Sequence, residues 1–339
     1  MAFVVPAEIG HAPYAAPLIW YLTGNFRRVQ IVALLRKLFP QLSEDAWLLF
    51  ADGYRESTED LLVTKLEQFE FLEEPPAEGT EVTLSEWQRW GCRLRPFLLQ
   101  SGVRGLYEEL AVHLQTSRLG AVARASVGYV TGANEFFHLR PSAAREAGIP
   151  ERFLCPTVRN ARCLPPNVLT KETVECWLRR DDPVLLLRLS SHEKPPRAVQ
   201  EYLDSPAGRE ARESYKCRNR HPWYAVPDVT FPDAFLSYMS GEGPSLVANV
   251  ARCACTNSLH AVQMKNGASV SDLQASWSHP LTRLSCELEG HPLGGGMLKL
   301  EPREAARLVI PRRDLALTRR ELRCIEEGIA ELRRWRHYE

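Results

Sequence analysis

The order of apolar segments in the first fifty residues constrains this chain most. Ala2–Val5 is apolar from almost the first residue, and the stretch from about Ala12 to Gly24 has the length and spacing of a helix. The run Val29–Leu35 and the segment Ala46–Ala51 read as strands. One helix among three strands is an α/β pattern. A complete doubly wound domain needs more strands and crossovers, so this segment is expected to be the end of a sheet whose beginning is missing.

The composition changes at Phe71-Leu-Glu-Glu-Pro-Pro-Ala-Glu-Gly-Thr80, which is acidic, rich in proline and without periodicity. The expected division is therefore a first domain over residues 1–72, a linker over 73–83 and a second, mixed domain over 84–339. Within the second domain, Pro96 to about Ser117 has the leucine spacing of an amphipathic helix. Val184–Leu189, Leu246–Val250 and Leu259–Met264 read as strands. From Thr318 to about Arg336, apolar residues recur at Leu322, Ile325, Ile329 and Leu332, and Thr318 with Glu321 forms a capping box. This predicts a closing helix whose arginines pair along the helix with Glu321, Glu326, Glu327 and Glu331.

With 45% apolar and 25% charged residues in a chain of 339, the composition is that of a globular protein. No apolar run approaches the roughly 18 residues of a membrane span, and Met1–Pro6 lacks the basic start of a signal peptide. A cytoplasmic location without membrane contact is the expectation. Nine cysteines, an odd number without paired spacing, suit reduced thiols better than a disulfide framework. Cys253-Ala-Cys255 with His260 lacks the two-residue spacer of zinc knuckles, so these are read as core or strand cysteines and no metal is expected. The formal charge is zero, but residues 1–80 hold six Lys/Arg against twelve Asp/Glu, leaving the remainder basic. A basic second part is compatible with a phosphate-contacting surface.

Several stretches are too particular for packing alone. Gly128-Tyr-Val-Thr-Gly-Ala-Asn-Glu-Phe-Phe-His-Leu139 combines two glycines, an asparagine and paired aromatics. Glycines let backbone amides approach a ligand, and Thr131 and Asn134 offer groups suited to phosphates or base edges. Arg218-Asn-Arg-His-Pro-Trp-Tyr224, Cys255-Thr-Asn-Ser-Leu-His260 and Glu287–Pro302 follow, the last containing Gly294-Gly-Gly296 before Lys299. The three glycines do not match the Walker spacing, which disfavours a nucleotide hydrolase. Histidines 138, 221, 260, 279 and 291 have no serine, cysteine or carboxylate placed to make a triad by spacing.

In this order, Val130–Phe137, Arg220–Tyr224, Thr256–His260 and Gly294–Pro302 resemble the target-recognition region of gamma-class N6-adenine DNA methyltransferases of restriction-modification systems, the TaqI-like group. Ala2-Phe-Val-Val-Pro-Ala-Glu8 resembles the strand after the catalytic motif of that family, and Leu38-Phe-Pro40 its later aromatic motif. The resemblance implies the C-terminal end of a Rossmann-like methyltransferase sheet, then a mixed α+β recognition domain and a C-terminal helix. By the same resemblance Phe39 stacks on an adenine taken out of the duplex, where an aromatic face restores about 1–3 kcal/mol of lost stacking. Resemblance and side-chain chemistry together nominate Thr131, Asn134, Arg220, Trp223, Asn257, His260 and Lys299 as DNA contacts.

Two motifs of the family are absent from this sequence: the glycine-rich turn that holds S-adenosylmethionine and the Asn/Asp-Pro-Pro-Tyr/Phe that holds the target amino group. The Pro-Pro pairs, Pro75-Pro76, Pro165-Pro166 and Pro195-Pro196, follow Glu74, Leu164 and Lys194, and none precedes an aromatic. The chain alone is therefore expected to bind no cofactor, to contain no catalytic residue and to transfer no methyl group, because alignment of amino group and sulfonium supplies most of the catalysis. The expected partners are double-stranded DNA and a chain carrying the donor-binding half, with S-adenosylmethionine in the assembled enzyme. The alternative is a catalytically dead, sequence-specific DNA-binding module of a defence complex.

Overall fold

The computed structural model describes residues 1–12, 14–69, 74–312 and 315–338. Residues 70–73, where the first expected domain ends and the linker begins, lie outside the described residues. The chain is mixed α/β and forms two compact units. One contains residues 1–118, 239–243 and 278–339, and the other residues 119–238 and 244–277. The expected linker thus falls inside the first unit, and the C-terminal helix belongs to that unit and not to the second.

The first unit is built on a five-stranded mixed sheet. Its strands are β1 (Ala2–Pro6), β2 (Phe26–Leu34), β3 (Ala46–Tyr54), β4 (Asp60–Leu66) and β5 (Thr80–Thr83), in the order β1-β3-β2-β4-β5. β2 runs antiparallel to β3 and parallel to β4. Its sequence, Val29-Gln-Ile-Val-Ala-Leu34, is buried throughout, as a central strand covered on both faces requires. Its one polar member, Gln30, donates to Thr64 Oγ1 and to the Pro76 carbonyl, both at 2.8 Å, and so avoids a buried unpaired amide. α1 (Ala15–Thr23) buries Ala15, Ile19 and Leu22, at helical spacing, in the core that also holds Val29, Ile31 and Leu49. Each of the leucine, isoleucine and valine side chains contributes about 1.5–3 kcal/mol by leaving water. β1 forms an outer strand on which Phe3 and Val4 are exposed.

The expected closing helix is present at Arg319–Arg334, and Thr318 and Glu321 form the reciprocal capping box. It buries Ile325, Ile329 and Leu332 and half-buries Leu322. Among the described residues, its arginines do not pair along the helix as expected. Arg334 reaches Glu67, while Arg333 and the following Arg336 converge on Glu287, which lies in the buried helix Pro280–Glu289. The Glu287 carboxylate accepts from Arg336 Nε and Nη2 at 2.9 and 2.8 Å, and from Arg95 Nη2 and Arg333 Nε at 3.2 Å each. Charge on the buried Arg95 and Arg336 guanidinium groups is tolerated here because the buried Glu287 carboxylate meets both, with half-buried Arg333 as a further donor.

The second unit carries a five-stranded sheet in the spatial order Val168–Leu169, Leu246–Asn249, Ala234–Ser237, Leu259–Met264, Ala123–Val127. A four-stranded sheet contains Ala254–Cys255, Leu154–Val158, Leu185–Leu187 and His138–Leu139. The nine cysteines are all free thiols, and Cys155, Cys217, Cys253, Cys255 and Cys286 are buried. Burial pushes the Cys253 and Cys255 thiols up to about 12, which suits packing and not reactivity. Among the described residues, no helix is long and apolar enough to cross a membrane.

Candidate nucleic-acid interface

Five of the nominated residues gather around one segment of the second unit, residues 128–137. Gly128 and Tyr129 run beside the turn at 255–258, where Tyr129 N donates to the Cys255 carbonyl and Asn257 N donates to the Tyr129 carbonyl, both at 3.0 Å. This close approach requires glycine, since a Cβ on Gly128 would lie 2.3 and 2.4 Å from the carbonyl oxygens of Thr256 and Cys255. Gly132, at φ +87°, lets the chain turn over the short helix Tyr215–Arg218, against the Cβ of Lys216.

The nominated side chains divide by their partners. Thr131 is 1% exposed, and its hydroxyl donates to Asn134 Oδ1 at 2.5 Å while accepting from Ala133 N. It shapes the loop and has no surface for DNA, whereas Asn134 stands exposed beside it. Arg220 Nη2 donates to the Val130 carbonyl at 2.6 Å, and its buried Nη1 has no partner. The residue therefore ties down the loop and also lines a cavity of about 630 Å³ with Arg152, Arg188, Ser190 and His221. Arg220–Tyr224 is a turn with a cis peptide at His221–Pro222. Trp223 packs against Phe136 and Phe137, with ring centroids 5.7 and 6.2 Å away, and supports the loop from below. Asn257 is exposed.

His260 is placed differently from its nomination. It is 0% exposed in the strand Leu259–Met264, and its ring meets Tyr238 edge-on at 5.2 Å. A side chain with no accessible surface cannot touch a duplex lying on the protein, so its place is in the core. Lys299 and Phe39 belong to the first unit. Lys299 Nζ lies 2.7 Å from Glu301, which competes with any phosphate. Phe39 is 39% exposed on a turn in which Leu42 N donates to its carbonyl and Lys37 Nζ donates to the carbonyls of Leu42 and Ser43. Gly294–Gly296 is packed as well, with the Gly296 carbonyl accepting from buried Arg336 and Ser43 lying where a Gly294 side chain would project.

Beneath the loop lies a buried polar chain in which Tyr129 Oη bonds His138 Nε2 at 2.8 Å and Thr157 Oγ1 at 2.6 Å. Burial, with the positive charge of Arg159 nearby, lowers His138 to about 4, and burial raises the Tyr129 phenol. Both groups therefore stay neutral near pH 7 and serve as a fixed base for the segment above.

Sequence reasoning missed Lys216 and Arg218. Both are exposed on the helix under Gly132 and neither forms an ion pair among the described residues. Their signal was present in the basic run Lys216-Cys-Arg-Asn-Arg220. The second unit as a whole holds 19 Lys/Arg against 15 Asp/Glu. The surface thus offers amide groups at Asn134 and Asn257 beside exposed cations, the combination that reads base edges and neutralises phosphates.

Most of the chain matches a known family. Residues 93–335 fit the family model described as the C-terminal domain of type II methyltransferase M.Eco57I. The chain belongs to that family. The match contains every nominated residue except Phe39 and excludes β1 to β5. Type II methyltransferase M.AccI of Acinetobacter calcoaceticus is 24% identical over 186 residues, covering 54% of this chain and 34% of the relative. Type II methyltransferase M.XamI of Xanthomonas campestris pv. amaranthicola is 27% identical over 195 residues, covering 57% and 36%. The chain thus spans about a third of the length of the curated relatives it matches. Among solved structures, the type IIL restriction-modification enzyme MmeI, determined in complex with DNA, aligns over 91% of this chain and 38% of its own, at 12% identity and a TM-score of 0.47. As a member of that family, the chain carries, over residues 93–335, the domain that the family model describes as C-terminal in type II methyltransferase M.Eco57I.

Proposed function

We propose that this chain is the target-recognition portion of a site-specific adenine-N6 DNA methyltransferase, and that S-adenosylmethionine binding and the methyl-transfer residues are supplied from outside these 339 residues. The observation that carries the reading is the 128–137 segment. It is tied to the 255–258 turn through backbone bonds and held by Arg220, with Asn134, Asn257, Lys216 and Arg218 exposed around it. A rigid backbone presenting amides and cations suits base reading, because it fixes side chains before the duplex arrives. Membership of the methyltransferase family supports DNA as the substrate class of that surface. Phe39, on its pinned and partly exposed turn, is the proposed stacking partner of the extruded adenine.

The roles of donor half and recognition half are separable by experiment. The purified chain, incubated with labelled S-adenosylmethionine and duplex DNA, is expected to incorporate no label. Mixing it with a chain that carries the glycine-rich and Asn/Asp-Pro-Pro-Tyr motifs is expected to restore incorporation at adenine N6. Label transferred by the chain alone, or found in cytosine, would contradict the assignment.

A further inference from the structure

The first unit contains a cluster that plays no part in the proposed DNA surface. His11 follows the short turn Ala7–Gly10, His291 begins the strand after the buried helix Pro280–Glu289, and Glu304 sits in the first turn of the helix Pro302–Arg307. His11 and Glu304 are 293 residues apart, yet His11 Nε2 lies 3.1 Å from Glu304 Oε1. The two imidazole rings meet edge to face with centroids 4.7 Å apart. One ligand atom from each of the three lies within 4.8 Å of the others.

We propose that His11, His291 and Glu304 bind one divalent transition-metal ion, zinc by ligand chemistry, which staples the N-terminal turn to the C-terminal helices of the first unit. Two imidazoles and a carboxylate are a zinc donor set that leaves a fourth position for water. Metal–ligand bonds of about 2.0–2.2 Å put tetrahedral donors roughly 3.3–3.6 Å apart, so the 3.1 Å pair needs little adjustment and the widest separation closes by side-chain rotation. Outer partners already orient two of the donors. Glu304 Oε2 accepts from Glu301 N at 2.8 Å, which leaves Oε1 toward His11, and Glu8 Oε1 lies 3.4 Å from His291 Nε2. A carboxylate behind a metal-bound imidazole is a recurrent support of such sites.

One unmet need points to a cation. The Glu304 carboxylate is largely buried, and among the described residues its ion-pair partner is an imidazole and not a lysine or arginine. Burying a carboxylate without a compensating positive charge is costly. Access is provided by a cavity of about 220 Å³ lined by Glu8, His11, Glu44, Asp45 and His291. Arg95 also lines it, but Glu287 pairs with Arg95, and Glu289 with the neighbouring Arg93.

The test uses the full chain, stripped with chelator and titrated with zinc against a chromophoric competitor, then reconstituted with cobalt. One ion per chain is expected, with cobalt bands of a nitrogen and oxygen site and a higher Tm in zinc. His291→Gln and Glu304→Gln should each weaken binding more than about tenfold with circular dichroism unchanged. These partly exposed positions decide the matter even if His11→Ala fails to fold. The double variant Cys253→Ser, Cys255→Ser should bind zinc as the parent does. Absence of stoichiometric binding, a cobalt–thiolate charge-transfer band, or full affinity in the His291→Gln, Glu304→Gln double variant would overturn the proposal.

Discussion

His138 makes the support of the 128–137 segment sensitive to acid. It is buried, bonded through Nε2 to Tyr129, and held to about 4, whereas an imidazole in the unfolded chain takes its proton near 6.5. Between these values the unfolded state binds more protons than the folded state. The stability that the neutral ring contributes is therefore fully present above pH 6.5 and is lost as pH falls toward 4. The gap corresponds to roughly 3 kcal/mol, with a maximum slope of about 1.4 kcal/mol per pH unit. His138→Gln keeps a polar group for Tyr129 and removes the proton site. Urea unfolding of both proteins between pH 7 and pH 4, with hydrogen exchange to locate the change, should show the parent losing roughly 3 kcal/mol more than the variant. The added exchange should fall in residues 119–238. Parallel loss in parent and variant would refute the reasoning, because it would mean that the folded imidazole titrates normally.

Three other outcomes follow from the same packing and charge. Gly128→Ala should destabilise the second unit by about 1–3 kcal/mol, because its methyl group would occupy the space of the Thr256 and Cys255 carbonyls; thermal unfolding and duplex binding should both register the change. Glu287→Gln should cost about 3–5 kcal/mol in urea unfolding of the first unit, since Arg95 and Arg336 would be left buried without their carboxylate. The Lys216→Ala, Arg218→Ala double variant should bind all duplexes more weakly. Its salt dependence should flatten by about 0.9 in log–log slope for each phosphate no longer neutralised, measured by fluorescence anisotropy from roughly 50 to 200 mM salt.

Local patterns were legible wherever burial repeats within a few residues. The largely apolar runs Val29–Leu34 and Leu259–Met264 located two interior strands, and Thr318 with Glu321 located the last helix. β5 was hidden because it is four residues long, lies in an acidic stretch and buries only Val82; pairing with β4 makes it a strand despite its composition. The division into units was equally hidden, since it joins residues 1–118 to 278–339 across most of the chain. The pairing of Arg333 and Arg336 with Glu287 depends on partners 46 and 49 residues away, which helical spacing does not reveal.

The same limit applied to the site. The order of motifs pointed to the 128–137 segment and its neighbours, but hydroxyl, guanidinium and imidazole groups look alike in sequence whether they face solvent or the chain. Thr131 and His260 proved buried, and Arg220 proved to be a tether, because loop geometry and strand position settle which face each side chain takes. The His11, His291 and Glu304 cluster carries no spacing signal, since its members meet only through the fold.

Selection of duplexes from a randomised pool by the purified chain, without any methyltransferase partner and at a fixed salt concentration of about 100 mM, tests the recognition assignment most directly. Enrichment of one short adenine-containing site is expected, with relaxed preference in Asn134→Ala and Asn257→Ala and uniformly weaker binding in the Lys216→Ala, Arg218→Ala variant. Recovery of a pool no different from the input, or an enriched site that these substitutions leave unchanged, would contradict it.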